Sequence, residues 1–319
     1  MFPIGVTRRD GMFDQSTALP ESLAAARARN RLSVIHNPAS GLRNRQRLTR
    51  FLQELTAHGM RVAHHQTAER GHAAALAECV SSLDSDVLVI GGGDGTINEV
   101  INGAIDRALP IALLPLGTAN VLAAELDLPR DPGRLAQAIA DGKTSEVFLP
   151  AANGRRFTMM VGAGFDAQVV ATVNRRFKRL LGRLAYVAAF CRALFRFPYR
   201  RYEVVVDGTA YEAASVIVAN GRCYGGRFTC APEARVDEPD LHVCLFLRSG
   251  PWSAVRYGVA LLLGVLHRRR DVLMVRGSHV EIRGAPGEPA QCDGDLALTL
   301  PLCIEAGLET LRFIVSPQG

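Results

Sequence analysis

No apolar run in the chain is long enough to cross a bilayer. The best, Val259 to Leu266, falls far short of the ~20 residues that a helical span needs. Arg8, Arg9 and Asp10 are not followed by an apolar core, so no signal peptide is expected. Cysteine is sparse and scattered. The seven residues, at 79, 191, 223, 230, 244, 292 and 303, are odd in number and form no C-x-x-C pair, which argues against a disulfide framework or a zinc site and for a reducing compartment. No nucleic-acid-binding module is recognisable, so a net charge of +6 does not by itself make nucleic acid the partner. It suits an anionic partner in general, whether a nucleotide or an acidic lipid surface.

What is present is ordinary globular material. With 319 residues, 48% hydrophobic and 21% charged, the chain has room for two domains or one large one, and for a core that needs no staples. Residues 1–28 read as a tail without a pattern that demands burial. From Leu32 the pattern is regular. Leu32 to His36 is a short apolar strand, and Arg43 to His58 places Leu48, Phe51, Leu52 and Leu55 on one helical face. Met60 to Gln66 is a second strand and Gly71 to Ser81 a second helix. Val87 to Ile90 and Pro110 to Leu114 are further strands of the buried, parallel type. Helical patterns follow each, over Ile97 to Ile105, Val121 to Leu126 and Asp131 to Ala140. Strands alternating with helices predict parallel β-α-β units over 29–150.

Three polar loops leave these strands: Asn37-Pro38-Ala39-Ser40-Gly41, Gly91-Gly92-Gly93-Asp94-Gly95-Thr96 and Pro115-Leu116-Gly117-Thr118-Ala119-Asn120. Ligands of an open parallel sheet bind beyond the carboxyl ends of its strands, so all three loops are expected at one edge and one site. The middle loop joins a strand to a helix start, where unpaired N–H groups and the helix dipole favour an anion, most often phosphate. It is neither a Walker A loop, having no lysine, nor a G-x-G-x-x-G fingerprint, since Thr96 and Asn98 stand where the last glycine would be required. Its odd member is Asp94. A carboxylate in a phosphate cradle makes sense only beside a metal, a hydroxyl or a proton to be moved. The plain alternative is a tight turn with Asp as a helix-start residue.

After about 150, short alternating runs replace the β-α rhythm and predict a mainly antiparallel β domain. Two helical insertions interrupt it, roughly 166–197 and 252–269. In the first, arginines and a lysine from Arg175 to Arg201 interleave with Leu180, Leu184, Val187, Phe190, Leu194 and Phe195, which suits an anionic membrane surface or, equally, a packed helix with a solvated basic face. Trp252, the only tryptophan, opens the second insertion and fits either an interface or a packing role. His64 and His65 are neighbours on a strand and face opposite ways, so they do not share a metal easily. His242 reads as structural, and Arg268, Arg269 and Arg270 as a solvated run.

Taken together, the segments 37–41, 91–99 (G-G-G-D-G-T-I-N-E), 115–120, 162–167 (G-A-G-F-D-A), 218–226 (V-A-N-G-R-C-Y-G-G), Ala231-Pro232 and Asp293-Gly294-Asp295 resemble the diacylglycerol-kinase catalytic family of lipid kinases, which includes sphingosine and ceramide kinases. They run in family order over about 37–315. G-G-D-G-T alone is shared with NAD kinases; the full set is more specific. The resemblance implies an α/β nucleotide-binding domain over 29–150, a β-sandwich lipid-substrate domain over 151–305, and an active site in the cleft between them. Residues 306–319 would return to the first domain. It implies ATP and Mg2+ as cofactors and a lipid hydroxyl as acceptor, reached peripherally at the cytoplasmic face of a membrane through the basic 170–200 region. By position, Asn37, Ser40, Gly41, Gly91, Gly92, Gly93, Asp94, Gly95, Thr96, Asn98, Glu99, Gly117, Thr118 and Asn120 would form the nucleotide pocket. Asp295, Asp293 and Asp94 are the candidate catalytic acids, with Asp295 or Asp293 preferred as base. Two departures stand out. Asp295 replaces a Glu, which retracts the carboxylate by roughly 1.5 Å. The acidic loop that holds a structural magnesium in some relatives reads Asp237-Glu238-Pro239-Asp240-Leu241-His242, so Asp237, Glu238 and Asp240 are its candidate metal ligands around an altered turn. Two other readings remain: a kinase of a soluble acceptor such as NAD, and a non-catalytic nucleotide- or lipid-binding relative.

Overall fold

A computed structural model describes residues 30–38, 42–172 and 183–316. The tail, Ser40, Gly41 and the 173–182 part of the basic insertion lie outside the described residues.

The first domain is built on one six-stranded sheet. Its order is Arg61–Gln66, Arg31–His36, Val87–Gly92, Ile111–Pro115, Thr310–Ile314 and Thr144–Phe148, with all but the last strand parallel to their neighbours. The strand Val87–Gly92 is buried along its whole length because both faces are covered. Val87 and Val89 pack with Leu48, Phe51 and Leu55 of the helix Leu42–Ala57 and with Leu135 and Ile139 of the helix Pro132–Asp141. Leu88 and Ile90 point the other way, against Ile97, Val100 and Ile101 of the helix Asp94–Ile101 and Ala73 and Ala77 of the helix His72–Glu78. Burying each of the Val, Leu, Ile and Phe side chains among them contributes about 1.5–3 kcal/mol.

Two features differ from the sequence pattern. The sheet extends through Gly91 and Gly92, and the helix starts at Asp94 rather than Ile97, so the glycine loop shrinks to Gly93. The strand Thr144–Phe148, which the alternation hides, closes one edge of the sheet beside the C-terminal strand Thr310–Ile314.

The second domain stacks two six-stranded antiparallel sheets. One runs Thr209–Ala213, Tyr202–Val206, His279–Arg283, Leu302–Glu305, Ala151–Ala152 and Arg155–Arg156. The other runs Val272–Gly277, Leu241–Phe246, Ser215–Ala219, Met160–Ala163, Pro289–Cys292 and Asp295–Thr299. Val161, Val204, Val216, Val218, Val243, Val280, Ile282 and Ile304 fill the space between them. The fold is therefore a parallel-sheet α/β domain plus an antiparallel β-sandwich. A continuous apolar cluster joins the two, running from Val121 and Leu122 through Met159, Met160 and Cys223 to Tyr257 and Ala260.

Since Thr310–Ile314 sits inside the first sheet, the far end of the chain completes the near domain. A chain cut after Ala306 would leave the facing edges of Ile111–Pro115 and Thr144–Phe148 unpaired. Such a truncation is expected to be insoluble or to lack a cooperative melting transition. A soluble truncation that melts like the full chain would contradict this placement.

Candidate active site between the two domains

The three strands that carry the polar loops are adjacent and in register at their carboxyl ends: His36 opposite Gly91, Gly91 opposite Leu114, and Gly92 opposite Pro115. The loops therefore meet at one edge. Asn37 donates its backbone N–H to the Gly91 carbonyl (2.9 Å) and its amide to Thr96 Oγ1 (3.2 Å). Gly93 and Gly117 touch backbone to backbone. A Cβ on Gly117 would lie 2.5 Å from the Gly93 Cα and 2.7 Å from Asn120 Oδ1, so neither loop tolerates a side chain at that crossing. Asn120, in the left-handed conformation (φ 50°), closes its own loop by accepting from the Gly117 N–H (2.7 Å) and donating to the Gly117 carbonyl (2.8 Å). Thr118 is half-buried beside it.

Asp94 sits in the first turn of its helix, and its Oδ1 accepts the N–H of Val121, the first residue of the next helix, at 2.6 Å. The carboxylate that looked out of place in an anion cradle is thus held by the start of a neighbouring helix. Burial still dominates, pushing its pKa up to about 6, with the Asp293 carboxylate adding to the effect and the backbone donors opposing it. Asn98 lies on the same helix. It reaches into the second domain, donating to Asp293 Oδ2 (3.0 Å) and the Arg156 carbonyl (3.2 Å) and accepting from Arg155. Glu99 is half-buried on that helix.

From the other side comes the hairpin between Pro289–Cys292 and Asp295–Thr299. Cys292 pairs with Asp295, and the two residues between them both have positive φ, Asp293 at 48° and Gly294 at 80°. That is the backbone of a tight type I′ turn, for which Asp-Gly is a preferred pair. The turn sends its two acids in different directions. The Asp293 carboxylate turns inward and accepts from the Thr158 N–H (2.9 Å), Thr158 Oγ1 (3.2 Å), the Met159 N–H (2.9 Å), the Met160 N–H (3.2 Å) and Asn98. Those donors use its acceptor capacity in full. Asp295 instead faces the glycine loop: its Oδ2 lies 3.6 Å from where a Cβ on Gly95 would be. The same Oδ2 is paired with Arg70, at 3.1 Å and half-exposed like itself. Beneath the turn, Gln291 accepts the Gly294 N–H (2.8 Å) while its amide faces the buried Asp166. Tyr224 hydrogen-bonds the same Asp166, whose pKa is raised by burial.

The candidate ligands of the acidic loop are each paired with an arginine. Asp237 is taken by Arg235 (2.7 Å), Glu238 by Arg235 and Arg276 (both 3.2 Å), and Asp240 by Arg276 (2.8 Å). Guanidinium groups already supply the positive charge there.

Arg70, Thr158 and Gln291 were not legible as site residues. Each reaches the turn only through pairing that spans more than a hundred residues or lies outside any motif.

The chain's first part, residues 31–151, matches the family model described as the diacylglycerol kinase catalytic domain. Residues 159–315 match the YegS C-terminal NAD kinase beta sandwich-like domain. A protein of Pseudomonas aeruginosa named "Probable lipid kinase YegS-like" is 32% identical over 81% of this chain and 83% of its own. The chain belongs to the diacylglycerol kinase family of lipid kinases. It is also 24% identical to "Diacylglycerol kinase" of Bacillus subtilis, over 85% of this chain and 91% of that one. The fold is that of a solved diacylglycerol kinase of Bacillus anthracis, with a TM-score of 0.71 and 23% identity over 91% of this chain and 98% of the other.

The position of Asp94 has a measurable consequence. Its raised pKa means that the native state binds more protons than the unfolded one between pH 3.8 and about 6, so its contribution to stability falls as pH rises through that window. Asp94→Asn keeps the Oδ1 acceptor for Val121 and removes the charge. The variant is expected to be more resistant to urea than the parent at about pH 7.5, with the gain disappearing near about pH 4. Equal stability at both values would contradict the raised pKa.

Proposed function

We propose that this lipid kinase transfers the γ-phosphoryl group of ATP to the hydroxyl of diacylglycerol or a related long-chain alcohol. The observation that carries the reading is the Asp295 carboxylate of the second domain facing Gly95 at the helix start of the first. Phosphoryl transfer depends on positioning and charge compensation more than on covalent chemistry from the protein. The helix start at Gly93–Thr96 and the crossing of Gly93 with Gly117 form the floor for the phosphates. Thr96 and Asn37 tie the first loop to that floor.

Asp295 is the base. It stands on the lipid-domain side of the gap, where an acceptor hydroxyl would approach, and the transfer of that proton contributes roughly 10²- to 10⁴-fold. Asp293 is a positioning residue, since its oxygens are already occupied. Asp94 and Asp295 would hold Mg2+, which supplies charge compensation on the transferring group when bound. Arg70 orients Asp295 and offers the cation that the glycine loop lacks.

The protein works peripherally at the cytoplasmic face of a membrane. All seven cysteines are free, and among the described residues no helix is long and apolar enough to cross a membrane.

Two variants separate the roles of the acids. Asp295→Asn is expected to cut turnover by about a hundredfold or more with an unchanged melting temperature. Asp293→Ala strands several buried donors, each costing about 1–3 kcal/mol, and is expected to lower stability and activity together. An Asp295→Asn enzyme of normal turnover would remove the base assignment. Magnesium-dependent ATP consumption with diacylglycerol, sphingosine or ceramide in mixed micelles, beside NAD, tests the acceptor. Turnover with NAD alone would overturn the lipid reading.

A further inference from the structure

The helix Pro251–Leu262 is apolar on both sides. Ala254, Tyr257 and Ala260 are buried against the outer face of the second sheet, where Ile217, Cys244 and Phe246 meet them. The opposite stripe follows the helical spacing 252, 256, 259, 263, and it is not polar. Trp252 is 80% exposed, Leu263 70%, Leu262 63% and Val259 49%, with Arg256 the one charge among them. The neighbouring helix Arg183–Arg196 comes so close that a Cβ on Gly258 would lie 3.2 Å from the Phe190 ring. That helix adds the exposed Val187 and Phe195. Six large apolar side chains thus stand in water on two packed helices, where an isolated exposed residue would call for no explanation.

Charge is segregated in the same place. Residues 183–202 and 248–270 together carry ten arginines and no Asp or Glu. The whole chain has a net charge of +6, so everything outside these two stretches is net negative. An apolar stripe framed by cations with no acid within it matches an anionic bilayer: the apolar side chains enter the headgroup–acyl boundary and the arginines reach the lipid phosphates. A second copy of the chain is the poorer match, because a two-fold interface would set this acid-free face against itself.

We infer that the paired helices Pro251–Leu262 and Arg183–Arg196 are the surface through which the chain docks on anionic phospholipid bilayers, with Trp252 and Leu263 as its inserting residues. The inference deepens the lipid-kinase reading and rests on it for biological purpose. The geometry also links the surface to the cleft. Helix Pro251–Leu262 packs on the hairpin strand Phe228–Thr229, whose partner Cys223–Tyr224 touches the helix Val121–Glu125 that holds Asp94. Helix Phe165–Thr172 contacts both Arg183–Arg196 and the strand that begins with Asp295. Docking would therefore bring bilayer lipid to both sides of the transfer site.

Trp252 is the only tryptophan, so the native full-length chain reports on itself. Its emission is expected to shift to shorter wavelength on adding vesicles of phosphatidylglycerol and phosphatidylcholine, and to be quenched by brominated acyl chains. Vesicles of phosphatidylcholine alone should bind far more weakly. Leu262→Ala with Leu263→Ala should weaken partitioning by about tenfold or more. Arg256→Glu and Arg196→Glu should each weaken it by about fivefold, an effect that high salt erases. These positions are exposed, so melting temperature should not move, and turnover on a short-chain, water-soluble diacylglycerol should stay at the parent level. Binding without turnover on any lipid alcohol would sink the kinase reading and leave the docking surface standing. An unshifted Trp252 emission with anionic vesicles would overturn the docking surface. So would leucine variants that bind like the parent, or a dimer in solution that these variants dissolve.

Discussion

The arrangement depends on how one half-buried carboxylate is satisfied. Asp293 gathers donors from the backbone of Thr158, Met159 and Met160 in the second domain and from Asn98 in the first. A carboxylate removed from water needs such donors, and charge-assisted hydrogen bonds of this type are the stronger ones. Because those donors belong to both domains, satisfying Asp293 also fixes how the sandwich meets the nucleotide sheet. The tight turn then leaves Asp295 facing Gly95 and Arg70.

Opposite it, Asp94 solves the complementary problem. A helix start that is good for phosphate is a poor neighbour for an unpaired acid only if nothing else holds that acid. Val121 supplies an N–H from a second helix, and Gly93 and Gly117 allow the two helix starts to come together. Incomplete compensation leaves Asp94 with a raised pKa, the kind of perturbation that gathers where chemistry is done. The clamp at Asp293 and the crossing of the two glycines are thus coupled through the helix Asp94–Ile101, which carries both Asp94 and Asn98.

Much of this was legible in the chain. The period of the apolar residues gave the parallel sheet, and strand–loop–helix order put three loops on one edge. Local spacing is enough for such inferences, because buried strands and amphipathic helices each impose their own repeat. What could not be read was which way side chains turn at the hairpin. The difference between Asp293 and Asp295 depends on positive φ at 293 and 294 and on donors 133 to 135 residues away. The ion pairs of the acidic loop were hidden for a similar reason. Asp237, Glu238 and Asp240 have ligand-like spacing, yet Arg235 and Arg276 meet them, and Arg276 comes from the next strand of the sheet. Trp252 was ambiguous in sequence, and only the burial of Ala254, Tyr257 and Ala260 shows that it lies on the outer stripe.

The central claim is that acids from two domains converge on one transferring phosphate. It is tested most directly by diffraction from crystals grown with manganese and a non-hydrolysable ATP analogue, using the anomalous signal of the metal. The account predicts a manganese peak within bonding distance of both Asp94 and Asp295, beside the terminal phosphate of the analogue. A peak confined to the Asp237–Asp240 loop, or one that touches Asp94 while Asp295 points away, would contradict it.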